Sequence, residues 1–490
     1  MPIDKKHVVH LENGQLKETS AADVDALFAA FSADPNKERL VVHFHGGLVS
    51  KEGGLKIAGD LQPKYSAAGG YPVFFVWESA WYETIRNNLG EIISEDFFKA
   101  LLKLVAGKAM EKLGVDEAGE RGMGLSPNQV EMELARANQG QEPFSRVNPG
   151  VLPAAGATLS PTEETAFRQE LEQDPDFGRA VDAIVRQVDA APPGTAARSL
   201  ASGTTHLSPD VLAQVRAEKD PAAVRAIGIP LRLIKGAIVI LVKVVARFAS
   251  QRDHGVHATI VEEILREFYA GDVLKRIWEL MKKDTADAFG PDARRFGGTA
   301  MLAGIKALAD AGRTPRILLV GHSTGAVYIC NWLRAADEML PPGLKFEVVF
   351  LAPACTVQLF ARTLEAHRGR IAKFRMFAMK DELETKDPML SGMQLLYPRS
   401  LLYFISGVLE EKSDLPVAGM QRFFSGAKPF DPAKYPEIGR ALQFLDATPD
   451  SRVWSTQSGM PGRNSDSAKH VDFDDGTTIE SVQFIIGNGF

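Results

Sequence analysis

The chain of 490 residues contains only two cysteines, Cys330 and Cys355. Neither lies in a C-x-x-C or mixed Cys/His ligand pattern. That argues against a disulfide scaffold or a structural zinc site and fits a reducing compartment. His254 and His257 form an i, i+3 pair with no third ligand nearby in sequence, so they read as ordinary polar histidines and no metal is implied. The N-terminal stretch MPIDKKHVVHLENGQ has no apolar h-region and no small-residue cleavage site, which makes a cytoplasmic location the expectation. No repeat of fixed period is present. Net charge is also scarce. A value of −6 is small for this length, and no basic patch is interleaved with aromatics, which speaks against a nucleic-acid partner. There is no G-x-G-x-x-G after the first strand and no Walker motif, so no cofactor is implied.

What is present begins with composition. A hydrophobic fraction of 45% and a charged fraction of 24% are those of a soluble globular protein. The most informative stretch is 316–333, RILLVGHSTGAVYICNWL. A short run of buried-type residues leads into Gly321-His322-Ser323-Thr324-Gly325, and an apolar segment of helical period follows. Strand, tight glycine-flanked turn and helix is the context in which G-x-S-x-G presents a serine Oγ at a strand tip, with a helix N-terminus behind it. Cys330 falls inside the helix that follows, where a buried small residue is expected.

A second signal lies upstream. Residues 39–44 form a β-type run that ends in His45-Gly46-Gly47. Two glycines after a strand let the backbone turn N–H groups into an open site, as a tetrahedral oxyanion requires. Residues 20–31 predict a helix with Ser20 as N-cap and Asp23 three residues on. Residues 51–68 predict another helix, and 73–77 a buried strand ending at Trp77, with Trp81 and Tyr82 just beyond.

From about 84 to 310 the pattern is helical with almost no strand signal. Leu-Ser-Pro opens a segment at Ser126, Ser160 and Ser208, and Gln129 and Glu163 complete capping boxes in the first two. Stretches 143–160 and 190–208 are rich in Pro, Ala, Gly, Ser and Thr and read as loops. Within the block, 231–249 carries its only charges, Arg232, Lys235, Lys243 and Arg247, inside an arc of about 120°. Four cations make a membrane span costly. Two readings remain: a cap helix over an apolar site, which is favoured, or a basic helix lying on an anionic membrane surface.

The strand pattern returns at the serine. Further strands are predicted at 346–351, 373–379 and 452–455, the third of these being followed by a polar loop that leads to His470 and by a helix at 477–486. Strands alternating with helices imply an α/β fold: a mostly parallel sheet with helices on both faces. Three parts are expected: a core half at 1–83, a helical cap or insertion at 84–310, and a second core half at 311–490. Each candidate site residue follows a predicted strand end, so one sheet edge can hold them all.

The G-H-S-T-G elbow, the H-G-G segment and the chain order serine, acid, histidine resemble the α/β-hydrolases of the lipase/esterase group, over roughly 35–80 and 310–490. The resemblance implies a triad of Ser323 as nucleophile, His470 as base and Asp381 as orienting acid, with Glu382, Glu384 and Asp387 as rival acids. It implies an oxyanion hole from the N–H of Thr324 and of Gly46 or Gly47. A large insertion between the H-G-G half and the elbow departs from the commonest arrangement of that family. His45, Trp77, Trp81 and His322 are candidate substrate neighbours, and aromatics there favour an apolar pocket. The expectation is a hydrolase of small-molecule or lipid esters with a hydrophobic acyl or alcohol part. The same triad could act on amides, thioesters or lactones. The contrasting expectation is a non-catalytic membrane-surface or partner-binding scaffold.

Overall fold

The computed structural model describes residues 3–490 apart from 48, 78–80, 115–124, 140, 146–157, 191–204, 219–228, 270, 390–396 and 427, and apart from the side chains of 81–87, 137–138 and 271–273. The chain divides into two units. One comprises Met1–Glu83, Ile277–Asp387 and Pro416–Phe490, and the other Thr84–Arg276 and Pro388–Leu415.

The first unit is built on an eight-stranded sheet. Its strands are β1 (Val8–Glu12), β2 (Gln15–Leu16), β3 (Arg39–Phe44), β4 (Tyr71–Trp77), β5 (Arg316–His322), β6 (Phe346–Leu351), β7 (Ile371–Met379) and β8 (Arg452–Ser455). Their order is β2-β1-β4-β3-β5-β6-β7-β8, and every neighbouring pair is parallel except the β1–β2 hairpin. Central strands such as β4, buried along its whole length, carry no polar alternation because helices cover both faces. All six predicted strands form, β4 and β7 starting two residues earlier than expected. The β1–β2 hairpin was not expected. Its first strand is five residues with a histidine at the centre, and its second is only two residues.

Alternation along the strands separates two cores. Val41, Phe74, Val76, Leu318, Val320, Val349 and Phe377 face the helices Lys51–Ala67 and Gly476–Asn488, meeting Leu61, Tyr65, Val482 and Ile485. Residues of the other parity form an aromatic layer with the helices Gly325–Met339, Val357–His367 and Pro436–Ala447. Phe44 stacks on Tyr328 with centroids 4.7 Å apart, Phe75 meets Trp332 at 6.0 Å and Phe374 meets Phe444 at 5.3 Å. The chain therefore leaves β3 toward one face and leaves the adjacent β5 toward the other. Neighbouring strands whose outgoing connections diverge open a crevice at their carboxyl ends, where ligands bind in open α/β sheets.

The second unit is helical. The capping boxes expected at Ser126/Gln129 and Ser160/Glu163 are both formed, and Ser208 caps its helix by accepting from the Val211 N–H. Its limits differ from the expected 84–310. Residues 277–310 belong with the sheet, and Pro388–Leu415 returns to the helical unit. Helical periodicity reads the same whichever core a helix buries its stripe against. Of the loops expected at 143–160 and 190–208, residues 146–157 and 191–204 lie outside the described residues.

The Leu231–Ala249 helix is an interior element of this unit. Leu233, Ile234, Ala237, Ile240, Leu241, Val244, Val245 and Phe248 are buried, and the helix packs on Asp96–Leu113 and Val256–Ile264. Its cations are mostly paired within the unit: Arg232 and Lys243 with Glu267 at 3.1 Å each, and Arg247 with Glu262 at 2.7 Å and Glu263 at 3.1 Å. Only Lys235 stands exposed with no described ion pair. The apolar face that a bilayer would take is thus already occupied. Among the described residues, no helix is long and apolar enough to cross a membrane.

The return segment is held by a buried ion cluster. His254 bonds Glu262 through Nδ1 at 2.7 Å and Asp414 through Nε2 at 3.0 Å, and Arg252 reaches Asp414 at 2.8 Å. Tyr397 donates its hydroxyl to Glu262. Gly407 lies so close that a Cβ there would overlap the Glu262 carboxylate. Gly407→Ala should therefore force that carboxylate off its partners and destabilise the helical unit by about 1–3 kcal/mol. Calorimetry would register this as a lowered transition, and an unshifted transition would show that Glu262 moves aside without cost.

Candidate active site

The elbow forms because its glycines permit contacts that no side chain would. A Cβ on Gly321 would lie 2.6 Å from the Gly325 carbonyl oxygen, and one on Gly325 would overlap the carbonyl of Phe44 at the tip of β3. The turn between β5 and the Gly325–Met339 helix places Ser323 at φ 53°, a region that non-glycine residues occupy only under strain. Two hydrogen bonds to the end of β6 and the segment after it hold it there: Ser323 N–H to the Leu351 carbonyl at 2.8 Å, and Ala354 N–H to the Ser323 carbonyl at 3.0 Å.

The H-G-G segment meets this turn directly. A Cβ on Gly46 would lie 3.3 Å from Ser323 Cβ and 3.9 Å from its Oγ, and a Cβ on Gly47 would lie 2.5 Å from Thr324 Oγ1. No turn, loop or cap hydrogen bond among the described residues uses the main-chain N–H of Gly46, Gly47 or Thr324. His45 shapes the segment. Its Nδ1 donates to the Gly46 carbonyl at 2.7 Å, and its Nε2 accepts from the Trp77 N–H at 3.2 Å. That pattern fixes a neutral tautomer. Trp77 stacks on the imidazole with centroids 5.7 Å apart. The side chain of Trp81 lies outside the described residues.

Strand parity explains His322. It belongs to the set of Leu318 and Val320, so its ring goes to the face opposite the elbow helix rather than toward a substrate. There Nδ1 donates to Asp474 at 2.8 Å and Nε2 to the main-chain carbonyl of His470 at 3.0 Å. His43, of the same face, bonds the Tyr65 hydroxyl through Nδ1 at 3.2 Å and holds Nε2 3.9 Å from Asp474. His470 opens a short 3-10 helix, His470–Asp474, and its ring centroid lies 5.3 Å from that of His322. Neither ring nitrogen of His470 has a hydrogen-bond partner among the described residues.

Ser323, Thr324, Gly46, Gly47, His45, Trp77, His322 and His470 thus gather at the carboxyl edge of β3, β4 and β5. Asp381 is a different case. It begins the turn after β7, and its main-chain N–H donates to Gln421 at 3.0 Å, but its carboxylate makes no hydrogen bond to the His470 ring. The carboxylate on His470 is that of Asp387, which accepts the His470 main-chain N–H at 2.8 Å. Asp474 was not foreseen. Its signal in the sequence is slight: an acid four residues after the candidate base, at the start of the last helix.

Burial dominates the electrostatics. It drives His43 and His45 down to about 4 and His470 to about 3, leaving these imidazoles neutral. Burial also lowers His322, but the Asp474 charge and its hydrogen bonds outweigh it and raise the group. Burial raises Asp474, yet attraction to His322 prevails and holds it at about 2. Asp387 is raised to about 6, first by burial, against its bond to the His470 N–H. Chemically the arrangement offers a strained, buried hydroxyl at the sheet edge, N–H groups beside it that no described turn, loop or cap bond uses, and a neutral imidazole. Among the described residues, no group of three or more His, Cys, Asp or Glu side chains is arranged to hold a metal ion. Comparison with protein-family models, curated proteins and solved structures yielded no match.

The cluster predicts acid sensitivity. Folded His43, His45 and His470 stay neutral while the unfolded residues protonate below about 6.5, so the stability they contribute is lost as pH falls from 6.5 toward 4. His322 acts in reverse, stabilising below 6.5 and losing that contribution as pH rises through its raised value. Asp474 adds stability above about 3.8 that disappears toward 2. Asp387, raised to about 6, also gains stability as pH falls through that value, so three groups oppose two and the fold should lose on the order of a few kcal/mol between pH 7 and 4.5. Urea midpoints would measure it, and equal midpoints at the two pH values would contradict neutral burial.

Proposed function

We propose that the chain is a serine hydrolase that cleaves carboxylic esters with a hydrophobic acyl or alcohol part. The observation that carries this reading is Ser323 at positive φ with Gly46 and Gly47 packed against it. The strand order, with the nucleophile at the tip of β5 and the histidine beyond β8, agrees with an α/β-hydrolase arrangement. In this reading Ser323 Oγ attacks the ester carbonyl while His470 takes its proton, and the tetrahedral oxyanion is met by N–H groups of Thr324 and of Gly46 or Gly47. His470 then protonates the leaving alcohol, and water hydrolyses the acyl-enzyme by the same route. Asp387, already bonded to the main chain of His470, takes the orienting role expected of Asp381. The bonds from the His470 ring to Ser323 and to this acid form in the working complex, since catalytic hydrogen bonds are often open without substrate. Met281, fully buried beside Gly47, supports an apolar substrate group.

One observation favours a catalytically silent scaffold instead: the His470 ring nitrogens have no hydrogen-bond partner among the described residues. A fluorophosphonate probe together with p-nitrophenyl esters of increasing acyl length separates the readings. Turnover and labelling should vanish in Ser323→Ala, by at least about 10³-fold. A wild type that neither labels nor hydrolyses any ester would defeat the proposal.

The acid is tested separately. Asp387→Asn should lower kcat by about 10²–10⁴-fold, and Asp381→Asn by less than about tenfold. Because His470 stays neutral down to about 3 while Asp387 ionises near 6, the acid limb of kcat should lie near pH 6 in the wild type. It should vanish in Asp387→Asn. The reverse ranking of the two variants would return the role to Asp381.

A further inference from the structure

The His322–Asp474 pair makes no described hydrogen bond to the Ser323 hydroxyl or to the ring of His470, yet it joins the elbow to the base. His322 precedes the nucleophile in the chain, and strand parity sends its ring to the opposite face. There it meets two groups of the His470–Asp474 helix: the carboxylate that ends it and the carbonyl that begins it. Both partners are acceptors, so both ring nitrogens must donate and the imidazole between them is doubly protonated. A neutral ring facing the ionised Asp474 would keep its single proton on Nδ1 and turn a lone pair toward the His470 carbonyl. The second bond would then be lost. The groups facing His322 are Asp474 and His470 from that helix, and His43 and His45 from the tip of β3. Asp474 is the one anion among them, and it lies closest to His322.

We infer that His322 and Asp474 are positioning residues: they hold the main chain of His470 at a fixed distance from the nucleophile by a two-point clamp, and so set the geometry of proton transfer to the base. The inference rests on the serine-hydrolase reading. It accounts for a histidine at the variable position of the elbow, where a substrate contact was expected. A displacement of the base by a fraction of an ångström is enough to slow a reaction that depends on a near-attack geometry.

Two variants test it, with rates normalised to the fraction of protein that a fluorophosphonate titrates so that misfolded molecules do not count. His322→Gln should lower kcat on the order of tenfold to a hundredfold with KM changed less than about twofold, because substrate binding is untouched. Asp474→Asn should alter the pH profile rather than abolish activity. In the wild type kcat should fall on the alkaline side as His322 loses its second proton. In Asp474→Asn a neutral His322 can accept from the Asn amide on Nδ1 and still donate Nε2–H to the His470 carbonyl, so the alkaline fall should disappear. A merely structural pair would lower the titratable fraction and leave the normalised kcat and the profile unchanged, and that result would overturn the inference alone. A wild type with neither labelling nor turnover would bring down the hydrolase reading, and the inference with it.

Discussion

The candidate active edge depends on a steric fit between main chains. Gly325 passes against the carbonyl of Phe44, and Gly321 against the carbonyl of Gly325, so β3, β5 and the helix after β5 approach more closely than any side chain would allow. The serine between those glycines is left at positive φ, a strain on the order of 1–3 kcal/mol that bonds to the β6 tip hold in place. Everything else follows from the geometry of that turn. The H-G-G segment is brought onto Ser323 because β3 is the neighbour of β5. The histidine before the serine is sent to the far face because side chains alternate along a strand.

The two units handle buried polarity differently. In the helical unit His254, Glu262, Asp414, Arg247 and Arg252 are joined by short bonds among themselves. Such a cluster specifies how a segment docks and contributes little net stability over an apolar core of the same volume. At the sheet edge the histidines are mostly neutral, and several buried atoms have no hydrogen-bond partner among the described residues: both ring nitrogens of His470, Nε2 of His43 and Oδ1 of Asp474. Open hydrogen-bonding capacity in a buried place costs free energy, and it gathers where a reacting group would use it.

How much was legible in the sequence follows the range of the interactions. β3 to β8 could be read because strands buried on both faces are continuous apolar runs. The capping boxes at Ser20, Ser126 and Ser160 could be read because all their partners lie within three residues. The elbow could be read because its steric demand is local. What depends on distant pairing could not be read. Residues 277–310 show the same helical period as the block before them, and nothing local says that Pro388–Leu415 rejoins that block. The cationic arc of Leu231–Ala249 suggested a cap or membrane surface, because its acidic partners Glu262, Glu263 and Glu267 stand on later elements. His322 meets Asp474 across 152 positions. Which carboxylate of the post-β7 turn meets the main chain of His470, that of Asp387, is likewise a matter of a few residues past the strand end.

The discontinuity of the helical unit carries a consequence for biosynthesis. His254 waits for Asp414 across 160 positions. At ordinary elongation rates that interval is on the order of ten seconds or more, far longer than helices need to form. For that time the nascent unit has its helices but not its closing segment, with Glu262 facing a gap that Tyr397 and Gly407 have yet to fill. The unit is finished only after β5 to β7 have been synthesised, so the sheet is well advanced before its insertion can lock. Ribosomal pausing between residues 277 and 387 would lengthen the time for which the helical block stays open.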